Sequence, residues 1–429
     1  MVFHLAPAMV FYCFGIINSW SRLPIFGLSE LERSMTPSAA VITIQTRRPN
    51  RPGQYANNAA DFMASSHLAV LSTCDSIDRL IGVYGAIALD FTWSFELDKH
   101  DVTVPSISGS NCTLEWQAPY PGTYAINVHV SSSDSEHIFF RGTTTVRIHD
   151  YWVVAIGDSF ASGEGNPDQS LLEADHPRWL SERCHRSRRS WPSFVFDKLQ
   201  RFCRNTPTHF TYLACTGAAV DSGVLGPASD GTVSQLEVVE EIARLRGRGP
   251  DLLMMSVGGN DVGYSDILGR LFLGNSKSLF NSIEMRLFYM AHELERLGER
   301  LRDLGARQIV IPHYFDISRN ERGLIDSNCT DLHLISTPNL RLADRQILRR
   351  VNRMITDKAK LFDWTVVDSV PRVFRKGGLC SKESLIRTSH DSLVLQGDTL
   401  GAFHPVESAH ESIADLVWRK LDFKRLLLT

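Results

Sequence analysis

The sequence predicts an α/β chain in which a small antiparallel β-sandwich precedes a domain built on a parallel sheet. From about residue 65 to 149, short runs rich in Val, Ile, Thr, Tyr and Trp are separated by turns such as "PYPG" and "SSSDSE". That spacing is typical of a β-sandwich. After Asp150, apolar strands alternate with amphipathic helices. This alternation predicts a parallel sheet covered by helices on both faces, over residues 150–429.

The composition and net charge of the chain restrict the classes of function that we expect. The chain has 429 residues, 43% of them hydrophobic and 22% charged, which is usual for a globular protein of one to three domains. The formal net charge is −3. It therefore gives no electrostatic reason to expect binding to nucleic acid or to an anionic membrane surface.

The N-terminal region predicts entry into the secretory pathway. Residues 1–20 are apolar, contain no Lys or Arg, and are too short and interrupted for a membrane span. We interpret them as a signal peptide without its basic region, or as a packed apolar segment. Residues 21–64 are predicted to be a loop or linker, because they contain the stretch "QTRRPNRPGQYANN". The sequons at Asn111 and Asn328 predict glycosylation of a secreted protein.

The predicted sandwich, residues 65–149, contains two candidate functional features. Trp93 and Trp116 could form a ligand platform, but we favour core packing because large aromatic side chains mostly serve burial. Cys74 and Cys112 are candidates for a disulfide that staples this module.

Polar residues follow three of the predicted parallel strands, in "GDS", "CTGA" and "GGND". In such sheets the ligand site lies beyond the carboxyl ends of the strands. Ser159 follows a buried strand and is a candidate nucleophile. The N–H groups of Ser159 and Gly217 and the carboxamide of Asn260 are candidate oxyanion donors. His404 precedes a proline that restricts the local backbone, and it is a candidate general base.

Taken together, the blocks "IGDSFASGEG", "ACTGA", "SVGGND" and "FHP" resemble those of the SGNH hydrolases, also called the GDSL esterase/lipase family. The resemblance implies a flavodoxin-like three-layer α/β/α fold and hydrolysis of carboxylic esters without metal or cofactor. It implies an acyl-enzyme on Ser159, oxyanion donors from Ser159, Gly217 and Asn260, and His404 as base. It also implies the disulfide Cys184–Cys215, and we expect Cys329–Cys380 as a second pair.

One departure from the family pattern concerns the acid that orients the histidine. The family places Asp three residues before the His, and here that residue is Gly401. We expect either Asp398, six residues before His404, or a backbone carbonyl to take the role, which makes the site a triad or a dyad. Asp158, Asp261 and His410 also match family positions, and we interpret all three as structural.

The leading prediction is therefore a secreted serine ester hydrolase that acts on lipid, phospholipid or other acyl esters. A carbohydrate acetylesterase of the same family and a catalytically dead binding protein are the alternatives. A two-metal phosphoesterase is disfavoured, because the histidines that usually accompany its "GN" turn are absent. The apolar stretch 268–288 would suit a long acyl chain if it were exposed, but an amphipathic helix is favoured. Transient contact with a membrane surface or with carbohydrate stays open.

Overall fold

A computed structural model of the chain describes residues 38–39, 41–47, 68–78, 88–98, 104–118, 122–132, 135–203, 206–274 and 276–427. The predicted signal peptide, residues 1–20, lies outside the described residues, as does most of the predicted linker, residues 21–64. The chain folds as two compact units that meet in sequence between Asp150 and Tyr151.

The first unit contains two sheets. The five-stranded sheet has the order β1-β8-β7-β4-β5 and the three-stranded sheet the order β2-β3-β6, and every pair is antiparallel except β1 with β8. The strands are β1 Ser38–Ala39, β2 Thr43–Arg47, β3 Leu68–Ser72, β4 Leu89–Leu97, β5 Ile107–Gly109, β6 Thr113–Gln117, β7 Gly122–Ser132 and β8 Ser135–Ile148.

Both sheets of the first unit contribute to one apolar core. Trp93 and Trp116 are among its buried residues, and the ring of Phe95 on β4 stacks on Trp116 of β6 at 4.3 Å. Both tryptophans thus pack in the core and do not form a surface platform. A disulfide joins Cys74 to Cys112.

The loop predicted over residues 21–64 needs a correction, because β1 and β2 lie inside it. The segment "TIQTR" of β2 pairs antiparallel with β3 along its whole length. Its β-branched residues suit a strand, but the neighbouring Pro- and Arg-rich stretch dominated the sequence interpretation.

The second unit is built on a parallel five-stranded sheet with the order β10-β9-β11-β12-β13. This is the flavodoxin-like strand order, and it confirms the predicted fold class. The strands are β9 Tyr151–Gly157, β10 Thr208–Tyr212, β11 Leu252–Ser256, β12 Gln308–Pro312 and β13 Thr365–Val367. All residues of β9 are buried, as expected for a central strand covered on both faces.

Helices connect these strands, and no described helix is long and apolar enough to cross a membrane. They are α1 Ser159–Ser162, α2 Trp191–Phe202, α3 Gln235–Arg246, α4 Tyr264–Phe272, α5 Ser276–Leu304, α6 Thr337–Ala343, a π-helix Asp344–Leu348, α7 Arg349–Phe362, α8 Val370–Val373, a 3-10 turn Phe374–Lys376, α9 Ser389–Gln396, α10 Glu407–Lys420 and α11 Phe423–Leu427. The stretch 268–288 thus belongs to the helices α4 and α5 and the turn that joins them, as the favoured interpretation expected.

Strand β9 ends at a glycine that the fold requires. Gly157 has φ +120°, and a Cβ at this position would collide with the carbonyl of Ser256 on the neighbouring strand β11. Only glycine adopts this conformation readily and leaves room for the close approach. The chain can therefore turn sharply here and present the next two residues at the carboxyl edge of the sheet.

Candidate active site

Ser159 begins the short helix α1 directly after the turn at Gly157. The Asp158 carboxylate accepts a hydrogen bond from Phe160 N at 3.1 Å and so caps this helix. Within the described part of the chain, the Ser159 N–H has no hydrogen-bond partner. It is one of the unpaired donors at a helix N-terminus, where negative charge is favoured.

His404 lies on the loop between α9 and α10 and faces the serine. Its Nε2 is 2.8 Å from Ser159 Oγ, and its Nδ1 is 3.0 Å from the carbonyl oxygen of Ala402. A carbonyl only accepts hydrogen bonds, so Nδ1 carries the proton and Nε2 is left to accept from the serine hydroxyl. This is the tautomer that a general base requires.

The expectation that Asp398 orients His404 is not met. Asp398 Oδ1 accepts hydrogen bonds from Gln396 Nε2 at 2.6 Å and from Leu400 N at 2.8 Å. It holds together the turn that follows α9, because a carboxylate readily bonds the amide two residues further along the chain. The acceptor at the imidazole is a backbone carbonyl, which was the other alternative.

The position of the usual family acid has no room for a side chain. A Cβ on Gly401 would lie 2.6 Å from Gly165 Cα and 2.7 Å from Gln396 Oε1. The loop that carries His404 therefore packs backbone to backbone on the loop that follows Ser159. This close approach is incompatible with an aspartate at residue 401.

The predicted oxyanion donors lie at the ends of β10 and β11. Gly217 has φ +76° and is exposed, and its N–H has no partner among the described residues. Asn260 Nδ2 donates one hydrogen bond to Ala218 O at 2.8 Å, which leaves its second N–H available. Ser159, Asn260 and His404 line one cavity, whereas Gly217 does not contribute to its lining.

A disulfide restrains the loop that carries Gly217. The structure joins Cys184 to Cys215, two residues before this glycine, and Thr216 N donates to Cys184 O at 3.1 Å. A second disulfide joins Cys329 to Cys380. Cross-links of this kind limit the freedom of the loops that they connect.

Tyr314, which the sequence analysis missed, links two of the strand-end loops. Its hydroxyl donates to Asp158 Oδ2 at 2.6 Å and accepts from Gly259 N at 3.0 Å. Ser256 Oγ donates to the other oxygen of Asp158. Burial raises the pKa of Asp158, and the hydrogen bonds from Ser256, Tyr314 and Phe160 oppose that rise. The sequence did contain one signal for Tyr314. The stretch "HYF" directly follows β12, so it lies at the carboxyl end of a fourth parallel strand.

The loop after Ser159 contains a second buried carboxylate. Glu164 is fully buried, lies 2.8 Å from His185 Nδ1 and accepts from Gln396 Nε2 at 3.0 Å. Burial alone would raise the pKa of Glu164, but the hydrogen bond with His185 and the fields of His404 and His185 outweigh it, so the pKa is lowered. Glu164 is therefore an ionised group whose charge faces His185.

The other family-matching residues make structural contacts. His410 Nδ1 accepts from Trp191 N at 3.2 Å, and burial lowers its pKa to about 3. Asp261 Oδ1 accepts from Val220 N at 2.9 Å, and its pKa is raised to about 7, mainly by burial.

A mostly apolar cavity of about 160 Å³ lies beside Ser159 and His404. Its apolar wall comes from α4 on one side and from the π-helix and α7 on another. The residues concerned are Ile267, Leu268, Leu271, Ile347, Leu348 and Val351. The candidate nucleophile and base thus open onto a space suited to hydrocarbon.

Comparison with known proteins identifies the family. The model of the GDSL-like Lipase/Acylhydrolase family matches residues 155–411, which is more than half of the chain. The chain therefore belongs to this family, as the four sequence blocks predicted. It is also 29% identical over 133 residues to Lipase 1 of Streptomyces coelicolor, a match that covers 30% of this chain and 38% of that relative.

Solved structures include two similar proteins. One is an extracellular lipase from Streptomyces rimosus, with 20% identity and a TM-score of 0.45, covering 63% of this chain and all of that one. The other is a phospholipase A1 from Streptomyces albidoflavus, with 18% identity and a TM-score of 0.42, covering 64% of this chain and all of that one.

Proposed function

We propose that the chain is a serine ester hydrolase that works through an acyl-enzyme on Ser159. The observation that carries the proposal is the 2.8 Å contact between His404 Nε2 and Ser159 Oγ, with Nδ1 committed to a carbonyl acceptor. This arrangement makes the imidazole a base toward the serine. Membership of the GDSL-like Lipase/Acylhydrolase family supports the same reaction class.

In the first half of the proposed reaction, Ser159 Oγ attacks the ester carbonyl carbon while its proton passes to His404 Nε2. The carbonyl oxygen becomes an oxyanion, and the unpaired N–H of Ser159 and the second N–H of Asn260 Nδ2 are the donors available to it. Gly217 N–H, at the end of β10, is the third candidate donor. The C–O bond to the alcohol then breaks, and His404 returns its proton to the leaving oxygen.

In the second half, water replaces the alcohol. His404 Nε2 takes a proton from the water as the water oxygen attacks the acyl carbon, and the proton then passes to Ser159 Oγ as the acyl–serine bond breaks. The His404 ring thus becomes a positively charged imidazolium twice in each turnover, although no carboxylate accepts a hydrogen bond from its Nδ1. The Ala402 carbonyl orients the ring.

The test is hydrolysis of p-nitrophenyl esters by the purified chain, with labelling by a fluorophosphonate. Ser159→Ala should abolish both turnover and labelling while the circular dichroism spectrum is unchanged. Ser412→Ala is the matched control, because Ser412 is a half-buried serine on α10 whose hydroxyl donates to Ser408 O of the same helix at 3.0 Å. Full activity in Ser159→Ala would refute the mechanism. Loss of activity with a chelator would instead favour a metal-dependent hydrolase.

We also propose that the protein is secreted and glycosylated at Asn111 and Asn328. Three disulfides support an oxidising compartment, and both asparagines are exposed. Lipid or other acyl esters are the favoured substrates because the cavity beside the dyad is mostly apolar. Secretion of the expressed chain, and a mass shift on treatment with an N-glycosidase, test the first two points.

A further inference from the structure

Arg387 lies just before α9, and its backbone pairs with the two residues at the candidate base. Its N–H donates to His404 O at 2.8 Å, and its carbonyl accepts from Phe403 N at 2.9 Å. The preceding residue, Ile386, forms an antiparallel bridge with Pro405. The loop that carries His404 is therefore fixed to the segment that contains Arg387.

One of these backbone bonds controls the acceptor that orients the imidazole. The carbonyl of Ala402 and the N–H of Phe403 belong to the same peptide group, which is planar. Arg387 O holds this group at its N–H, and His404 Nδ1 lies 3.0 Å from its carbonyl oxygen. Phe403 has φ +67°, a left-handed conformation that a bulky residue keeps only where its surroundings enforce it. The direction of the Ala402 carbonyl thus depends on the position of Arg387.

The side chain of Arg387 extends to the other loop of the site, the one that follows Ser159. Its Nε donates to Gly165 O at 3.0 Å, and its Nη2 donates to Asn166 Oδ1 at 2.8 Å. Asn166 is buried, and its Nδ2 donates to Pro405 O at 2.9 Å. The guanidinium and the carboxamide together cross-link the loop of the nucleophile to the loop of the base.

The contacts of this guanidinium suit a role in positioning. Both of its acceptors, in Gly165 and Asn166, are neutral carbonyl oxygens, and no carboxylate of the described residues forms an ion pair with it. Hydrogen bonds from a charged donor are strong, and the planar fork of arginine fixes the directions of both of them. The side chain therefore sets the distance between the two loops.

We propose that Arg387 is the positioning residue of the dyad. Its backbone directs the Ala402 carbonyl toward His404, and its side chain ties this loop to the loop that follows Ser159. The two contacts together take the place of the aspartate that residue 401 has no room to hold. This inference rests on the ester hydrolysis proposed above and deepens it, because it explains how the base is aligned with the nucleophile.

The first experiment compares wild type with Arg387→Ala in the full chain. It measures kcat and KM on a p-nitrophenyl ester, and the rate constant at which a fluorophosphonate labels Ser159. The substitution removes hydrogen bonds that align the two loops and leaves the cavity unchanged. We therefore expect kcat and the labelling rate constant to fall about fivefold, and KM to stay within about twofold of wild type.

Arg248→Ala is the matched control. Arg248 is also half-buried, and its Nη1 donates to Asp251 Oδ2 at 2.8 Å. Asp251 directly precedes β11 and so lies at the opposite edge of the sheet from Ser159, and it keeps Arg307 as an ionic partner. The control should lower the free energy of unfolding and leave kcat, KM and the labelling rate constant unchanged.

Chemical rescue tests the role of the fork itself. Guanidinium chloride, at a concentration too low to unfold the protein, should restore part of the kcat of Arg387→Ala, because the acceptors in Gly165 and Asn166 remain. Methylammonium chloride at the same concentration has no fork and should restore nothing. A folded variant that gains no activity from guanidinium would overturn the assignment.

The outcomes separate this inference from the proposed function. Unchanged kcat and labelling in Arg387→Ala, or a rise in KM alone, would overturn the positioning role while the mechanism stands. Absence of labelling in the wild type would overturn the proposed function, and the inference with it. If Arg387→Ala does not fold, Arg387→Lys takes its place. Lysine keeps the charge and the aliphatic stem but cannot make both contacts, so wild-type kcat in that variant would overturn the proposal.

Discussion

The two halves of the candidate site are held in different ways. On the nucleophile side, a buried network of side chains fixes the loops: Asp158 bonds Phe160 N, Ser256 and Tyr314, and Tyr314 also bonds Gly259 N. On the histidine side, the imidazole of His404 is oriented by a carbonyl two residues earlier in its own loop. The nucleophile is therefore positioned by side chains that are distant in sequence, whereas the acceptor that orients the imidazole lies in its own loop.

This difference concerns how the site is built without the aspartate that usually lies three residues before the histidine. A carboxylate in a triad orients the histidine and stabilises its positive charge. Here a carbonyl serves the first purpose, through a hydrogen bond within the loop that carries the histidine. Because Gly401 packs on Gly165, the loop that carries His404 has no room for an aspartate at residue 401.

The largest effect is expected from breaking the network on the nucleophile side. Tyr314→Phe removes a hydroxyl that satisfies both Asp158 Oδ2 and Gly259 N, and a buried polar group left unpaired costs roughly 1–3 kcal/mol. We expect kcat to fall about tenfold, equivalent to ~1.4 kcal/mol, with KM within twofold because the ring remains. Steady-state kinetics on a p-nitrophenyl ester measure both constants.

Tyr289→Phe provides the control for that change. Tyr289 lies on α5 and bonds Asp221 near the surface, so the loss of its hydroxyl should alter neither constant. A Tyr314→Phe enzyme with wild-type kcat would show that the network is not needed to position the nucleophile.

Sequence alone predicted the parts of the site that follow strands. Ser159 and Asn260 line the same cavity, because the carboxyl ends of parallel strands meet at one edge. His404 reaches this cavity from the loop between α9 and α10. Tyr314 was missed since its partner Asp158 is 156 residues away, and no local pattern encodes a contact that depends on packing. Asp398 was misjudged because its distance of six residues from His404 carries no information about the direction of a side chain.

The same contrast applies to the first unit. Its strands were recognised where alternation was strong, as in β7, whose burial alternates along the strand. Strand β2 was assigned to a loop because a Pro- and Arg-rich stretch follows it. Its pairing with β3 is a tertiary contact, which the local sequence does not reveal. Local sequence patterns thus located the strands in which alternation is strong. The short strands at a sheet edge could be recognised only together with the strands that they pair with.

An intermediate effect is expected at His410, a buried residue of α10 that accepts a hydrogen bond from Trp191 N. Its pKa is lowered to about 3 by burial, while an unfolded chain titrates near 6.5. The unfolded state therefore binds more protons between these values, so the stability contribution is complete above about pH 6.5 and declines as the pH falls toward 3. The slope from this residue is at most about 1.4 kcal/mol per pH unit.

Denaturant unfolding of the wild type and of His410→Gln at several pH values tests this behaviour. The glutamine does not titrate, so the difference in unfolding free energy between the two proteins should shrink as the pH is lowered from 6.5. A difference that stays constant with pH would show that His410 does not titrate on unfolding as described.

The smallest effect is expected on the histidine side, at Asp398. Its carboxylate bonds Gln396 Nε2 and Leu400 N and makes no hydrogen bond with His404. Asp398→Asn keeps the side-chain shape and an oxygen for the Leu400 N–H, so kcat should stay within about threefold of wild type.

The loss of a triad aspartate would instead lower kcat by about 10⁴. Single-turnover acylation rates distinguish these outcomes, and a fall approaching the larger figure would restore Asp398 as the third catalytic residue. A small effect would mean that the imidazole is held by backbone geometry, so that the sensitive half of the site is the one that contains Tyr314 and Asp158.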